Sequence, residues 1–277
     1  MMGILCFVGL GEESMSDDAV AYEPPRLPGV RAVTVADLRA ALAAGWSDFT
    51  YAPQFGLFFG GIYVVGGLLI LAFLTVFAAP WLIIPIAVGF PLIGPFIAVG
   101  LYEVSRRRAA GEPLTWKAVL SVIFQQRNRQ LGWTAFLVLF IFWIWIYQVR
   151  LLLALFLQSK GLSSIDGFIT TVTTTPEGLG FLVVGTCVGA VLAFVLYATT
   201  VITMPLLLDR DLDLVSAMIV SFKTIQQSPK VMIGWGIFVA VLTLIALAPA
   251  FLGLLIVLPV LGHATWHLYV RAVEPKE

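Results

Sequence analysis

Charge is what this sequence has least of. Asp, Glu, Lys and Arg make up 12 per cent of its 277 residues, against about 25 per cent in a soluble domain. That leaves too little polar surface to cover a water-soluble globule. The net charge is zero, and no basic patch with interleaved aromatics is offered to nucleic acid, so that partner is excluded. Cysteine occurs only as Cys6 and Cys187. The first lies in a terminal tail and the second in an apolar run, so no structural disulfide is expected. The HExxH pair, the P-loop, the Gly-rich dinucleotide turn and any nucleophile–His–acid pattern are also missing. The chain therefore reads as non-enzymatic and without a cofactor.

What is present is apolar. Hydrophobic residues make up 60 per cent of the chain and mean hydropathy is +0.99. They fall in runs of roughly 18 or more, the length that crosses a ~30 Å hydrocarbon core. The reading is an all-α membrane protein with six transmembrane helices in three hairpins, each preceded by a cytoplasmic amphipathic helix. Residues 1–32 are expected to form a disordered tail, 33–273 the membrane domain and 274–277 a short C-terminal tail. Met1 to Leu10 is too short for a span and lacks the positive start of a signal peptide. Met15 opens the polar run MSDDAVAYEPPRLPG and is the expected true start.

Thr34 and Asp37 have the spacing of a capping box. Leu38, Leu42, Trp46 and Phe49 then recur on one helical face, with Asp37, Arg39, Ser47 and Asp48 placed off it. The spans are expected at Phe55 to Ala78, Trp81 to Tyr102, Leu131 to Gln158, Leu179 to Leu207, Val231 to Ala248 and Leu252 to Val270. Pro85, Pro91 and Pro95 interrupt the second, which predicts a kinked or broken helix; such breaks line binding sites in many transporters. Further surface helices start at Thr115 and near Asp211. Lys160 to Glu177 reads as a Ser/Thr-rich loop that ends on the N-cap Thr175, Pro176 and the acidic Glu177. Gly185 and Gly189 give the fourth span a small-xxx-small face for close helix packing.

The plan recurs along the chain. Asp37-Leu matches Asp213-Leu, Pro53 matches Pro229, and Pro91-x-x-Gly94 matches Pro259-x-x-Gly262, the order expected of an internal duplication. Of the 16 Lys and Arg, all but Arg150 and Lys160 fall at the termini or in the loops that carry surface helices, which is 16 less 2, or 14. By the positive-inside rule both termini are cytoplasmic and the number of spans is even. Arg150 and its neighbours Trp143, Trp145 and Tyr147 suit the opposite interface.

Chemistry concentrates near the cytoplasmic end. His263 and His267 stand at i, i+4 on the sixth span, a spacing at which two imidazoles can share a metal ion. Glu103 and Met204 fall at a similar depth, which defines a candidate polar pocket of Glu103, Met204, His263 and His267. The plainer reading of the histidines, with Trp266 and Tyr269, is an interfacial anchor. Both axial ligands of one haem cannot come from one helical face.

The stretches LDRDLDLVSAM, LLIVLPVLG and GHATWHLYVR resemble a bacterial integral membrane family, domain of unknown function 2189. The resemblance runs from Val33 to Val273 and is most specific over Pro205 to Met218 and Leu255 to Arg271. It implies a helical inner-membrane protein and brings no established activity. Some members carry the label of cytochrome c oxidase subunit. A catalytic oxidase core needs histidines on several helices, so two on one helix exclude that role. The leading expectation is an accessory, scaffold or assembly subunit of a bacterial inner-membrane complex, respiratory or photosynthetic, with lipid and other membrane chains or a second copy as partners. The alternatives are a channel or transporter for a small or lipidic solute, and a copper, zinc or haem binder through His263 and His267.

Overall fold

The computed structural model describes residues 27–75, 83–126, 132–157 and 165–275. The described residues are helical, joined by short turns. The elements are α1 (Val35–Tyr51), α2 (Pro53–Thr75), α3 (Ile83–Ala110), α4 (Trp116–Gln126), α5 (Gly132–Leu157), α6 (Ile165–Thr174), α7 (Pro176–Thr200), α8 (Thr203–Asp209), α9 (Leu214–Gln227), α10 (Pro229–Leu247) and α11 (Leu254–Ala272). Among the described residues five helices are long and apolar enough to cross a membrane. They are α2, α5, α7 continued through α8, α10 and α11. The side chains of the first half of α3, with Pro85 and Pro91, lie outside the described residues.

The starts of the helices follow from their capping residues. Thr34 and Asp37 form the reciprocal capping box ahead of α1. Asp213 accepts from the Ser216 amide at the head of α9, and Thr115 from the Ala118 amide at the head of α4. Thr175 caps α7, with Pro176 in the first turn, where its missing N–H costs nothing. Large apolar side chains on the outer faces, such as Val65, Phe136, Val191 and Leu244, are exposed, as expected of surfaces solvated by lipid rather than water. The long helices pack as sequential neighbours, α2 on α3, α5 on α7 and α10 on α11, while α1 packs across the bundle on α11.

Four expectations change. The face of α1 that is buried holds Ala41, Gly45, Asp48 and Phe49, while Trp46 is exposed. Asp48, expected off the packed face, is at its centre, because α1 docks through small residues rather than through its bulkiest ones. The second expected span is not broken: α3 is one helix through Pro85, Pro91 and Pro95. The Lys160 to Glu177 loop contains α6, whose Val172 is buried. Its Thr173, Thr174 and Thr175 hydroxyls donate to Ile169, Thr170 and Thr171 carbonyls, so a Ser/Thr-rich stretch satisfies its own polar groups. Finally, the fourth expected span turns at Val201–Ile202 into α8. Across that turn Ser221 of α9 bridges the Ala198 carbonyl and the Ile202 amide. Its hydroxyl donates to the Ala198 carbonyl at 2.7 Å and accepts from the Ile202 amide at 3.3 Å.

The segment before α1 pairs with the one after α11. Val30 forms an antiparallel bridge with Val273, the Arg31 amide donates to the Ala272 carbonyl, and the Glu274 amide donates to the Gly29 carbonyl. The Val33 amide donates to Ser228 Oγ at 2.8 Å. Residues on either side of the expected boundaries at 32 and 274 therefore share one paired segment.

Candidate functional site

Polar chemistry gathers at the end of the bundle where α1, α3 and α11 meet. Gly45 lets α1 approach the α11 backbone, since a Cβ there would stand 2.6 Å from the Ala264 nitrogen. That approach carries Asp48, three residues on, into the interior, where it is 4 per cent exposed. His267 Nε2 lies 2.7 Å from Asp48 Oδ2 and Arg108 Nη1 donates to Oδ1 at 2.6 Å. A carboxylate only accepts, so His267 carries its hydrogen on Nε2. Arg108 also donates to Ser47 Oγ and lies over the Tyr51 ring. One carboxylate thus ties three helices.

Ser105, one turn before Arg108 on α3, helps keep the same carboxylate ionised. Its Oγ is 2.8 Å from His263 Nδ1. His263 is fully buried, and its Nε2 makes no hydrogen bond among the described residues. Burial pushes the Asp48 carboxyl up, but the hydrogen bonds from His267 and Ser105 outweigh it and hold the carboxyl below its ordinary value of 3.8. A carboxyl depressed in the folded state stabilises fully above its unfolded value and loses that contribution as pH falls through its folded value. The docking of α1 is therefore expected to be flat across neutral pH and to weaken below about pH 4. Trp fluorescence during acid titration checks this, and Asp48→Asn should remove the acid limb.

Glu103 faces the other side of α3. It is fully buried and accepts from Arg106 at 2.7 and 2.9 Å and from Arg107 at 2.6 Å. Glu112, after the turn at Gly111, accepts from Arg106 at 3.2 Å and lies 3.3 Å from Arg107. Two arginines and two carboxylates cancel within one helix end.

The sequence-predicted pocket is thus divided. His263 and His267 keep their common face but engage Ser105 and Asp48 separately, Glu103 is committed to arginines, and Met204 lines a different cavity. Among the described residues no three His, Cys, Asp or Glu side chains come together to hold a metal ion. Ser105 engages Nδ1 of His263, and Asp48 engages Nε2 of His267. Asp48, Ser105 and Arg108 are the residues that sequence reasoning missed. The signal for Asp48 was the small-residue spacing Ala41, Gly45, Asp48, Ala52.

The second feature is a cavity of about 410 Å³ between α2, α3, α5, α7, α8, α10 and α11, with Pro95 and Gly94 in its wall. Tyr63, Tyr102, Tyr197 and Trp235 contribute aromatic surface, and Thr134, Thr200 and Thr265 hydroxyls. No charged residue lines it among the described residues. Two apolar crevices adjoin it, of about 270 Å³ between α5 and α7 and about 350 Å³ between α7 and α10. Gly185 and Gly189 face α5 within the chain. A Cβ on Gly189 would meet the Trp145 ring at 3.0 Å, and one on Gly185 would meet Leu152 at 3.7 Å.

Long apolar helices with apolar outer faces and an uncharged interior cavity define an integral membrane protein. Residues 82–209, from the start of α3 to the end of α8, match the family model DUF2189, described as predicted integral membrane protein. It is the family that the sequence resembles, and the matched stretch stops short of Leu255 to Arg271. No curated protein and no solved structure matches the chain.

Proposed function

We propose that this integral membrane protein binds and passes on a small apolar or lipidic solute within the bilayer, without catalysing a reaction and without a cofactor. The observation that carries the reading is the uncharged cavity beside Pro95, a concave apolar site with a few polar groups of the kind that holds small molecules. Pro95 has no N–H to donate within α3, and a membrane helix tolerates the carbonyl so freed where it faces a cavity. Organic extraction of the purified full chain is expected to yield a lipophile above the level of bulk lipid. Val239→Trp, which fills the cavity wall, should abolish it; an extract of bulk lipid alone, identical in both proteins, overturns the reading.

A second reading has its own observation. None of the most apolar eighteen residues of α7 is buried, and Trp133, Phe136, Phe140, Trp143 and Tyr147 of α5 are exposed. A neighbouring membrane chain, or a second copy, could cover this pair, which is the accessory or scaffold role.

We also propose a bacterial inner membrane with both termini cytoplasmic and six spans in three hairpins from an old duplication, α3 being the sixth span. Arg106, Arg107, Arg108, Arg210 and Arg271 at helix ends support this orientation, as does the recurring order of one surface helix followed by two long ones. Alkaline phosphatase fused after residue 277 should be inactive, and fused after residue 160 active; the reverse pattern contradicts the orientation.

A further inference from the structure

The cavity also restricts what it can hold, and the following rests on the reading that it holds a lipophile. We propose that the ligand is a neutral long-chain lipid bearing a free hydroxyl, its head at the Tyr102–Thr265 end and its chain laid along α7.

The polar lining is sorted by depth. Tyr102 precedes Glu103, Thr265 stands between His263 and His267, Thr200 ends α7, and Thr134 is near the start of α5. All four belong to the charged end of the bundle. Val239 lies ten residues into α10, about 15 Å along the helix, and the wall at that depth is apolar apart from the phenol of Tyr63, equally far into α2. The site therefore has a hydroxylated end and an apolar end, as an amphiphile does. A neutral head suits the described lining, which offers no counter-charge, since an unpaired buried charge is costly.

The hydrogen bonds decide the kind of head. Thr200 Oγ1 donates to the Leu196 carbonyl at 2.6 Å, and Thr265 Oγ1 to the Leu261 carbonyl at 2.7 Å. Each threonine has spent its only hydrogen and offers lone pairs alone. A head that engages either must donate, which an alcohol O–H does while its oxygen stays free to accept from a phenol such as Tyr102; a ketone, ester or ether oxygen leaves both threonines unused. The length follows from the crevices. Val138 and Leu196 line both the cavity and the α5–α7 crevice, while Tyr197 and Val239 line both the cavity and the α7–α10 crevice. The apolar space continues past α7 on both sides, where a flexible hydrocarbon chain fits and a compact solute leaves it empty.

The test uses the full chain in nanodiscs with a long straight-chain primary alcohol carrying a terminal diazirine, competed by unlabelled alcohol, its methyl ether or the matching fatty acid. Expected are competition by the alcohol, about tenfold weaker competition by the ether and the ionised acid, the scale of one lost hydrogen bond to a buried acceptor, and label on the peptides holding Trp145 and Gly189. Thr200→Val and Thr265→Val should each erase the preference for alcohol over ether, while Thr199→Val, whose hydroxyl lies outside the cavity, should keep it. Equal competition by alcohol and ether, or label spread over the outer faces of α2 and α10, overturns the proposal. If a compact or charged lipophile is instead displaced by Val239→Trp, this proposal fails and the cavity reading stands; if nothing is displaced, both fail.

Discussion

Asp48→Ala should cost about 3 kcal/mol of unfolding free energy, the lower end of what breaking a buried ion pair costs. The lower end applies because Arg108 is 30 per cent exposed at its side chain and can turn to water, whereas the Asp48 side chain is 5 per cent exposed. His267, 18 per cent exposed at its side chain, loses its acceptor too. Arg108→Ala should cost a comparable amount, since it leaves the buried carboxylate to His267 and Ser105. The double variant should cost clearly less than the sum, because both changes remove one interaction. Denaturant unfolding in mixed micelles followed by Trp fluorescence measures all three. If Asp48→Ala lies within 0.5 kcal/mol of the parent, about the scatter of an ordinary surface change, the carboxylate is not the tie between α1, α3 and α11.

Gly45→Val acts on the same junction through shape. A Cβ at Gly45 would stand 2.6 Å from the Ala264 nitrogen, 2.8 Å from the Val260 oxygen and 2.9 Å from the Ala264 Cα. These are backbone atoms of α11 and cannot turn aside, so α1 must lift. Overpacking costs about 1–3 kcal/mol even where side chains can yield, and the upper end is expected here. Lifting α1 also draws Asp48 from His267, so a maleimide should reach a Cys placed at Ala41, now fully buried, far faster than in the parent. Gly234→Ala is the matched control. Nothing lies within 4 Å of a Cβ there, and the change should be neutral or slightly stabilising, since Gly within a helix is weaker than Ala by about 0.5–1 kcal/mol. Equal behaviour of the two variants would argue against the close approach of α1 and α11.

What the sequence made legible were properties carried by local pattern. The long apolar stretches, the caps at Thr34, Thr175 and Asp213, and the helices α1, α4 and α9 depend on residues a few positions apart. The inward turn of Asp48 does not. Hydrophobicity placed it on the outer face, but the packed face of α1 is selected by size, through Ala41 and Gly45 against a backbone more than 200 residues away. The Asp48–His267 contact joins residues 219 positions apart, and nothing near either residue announces the other. The turn before α8 was hidden similarly, because the Ser221 that makes it affordable comes from another helix. The cavity was only half legible: Pro95 marked its wall, but its volume and hydroxylated end depend on seven helices meeting.

The docking of α1 on α11 fixes an order of events during synthesis. Translation makes α1 among the first helices and α11 last, so α1 must wait on the membrane surface while every intervening helix is inserted. Until α11 arrives, Asp48 has no His267, Gly45 has no backbone to press against and Val30 has no strand partner. A nascent chain stopped before Leu254 therefore holds an α1 with nowhere to dock.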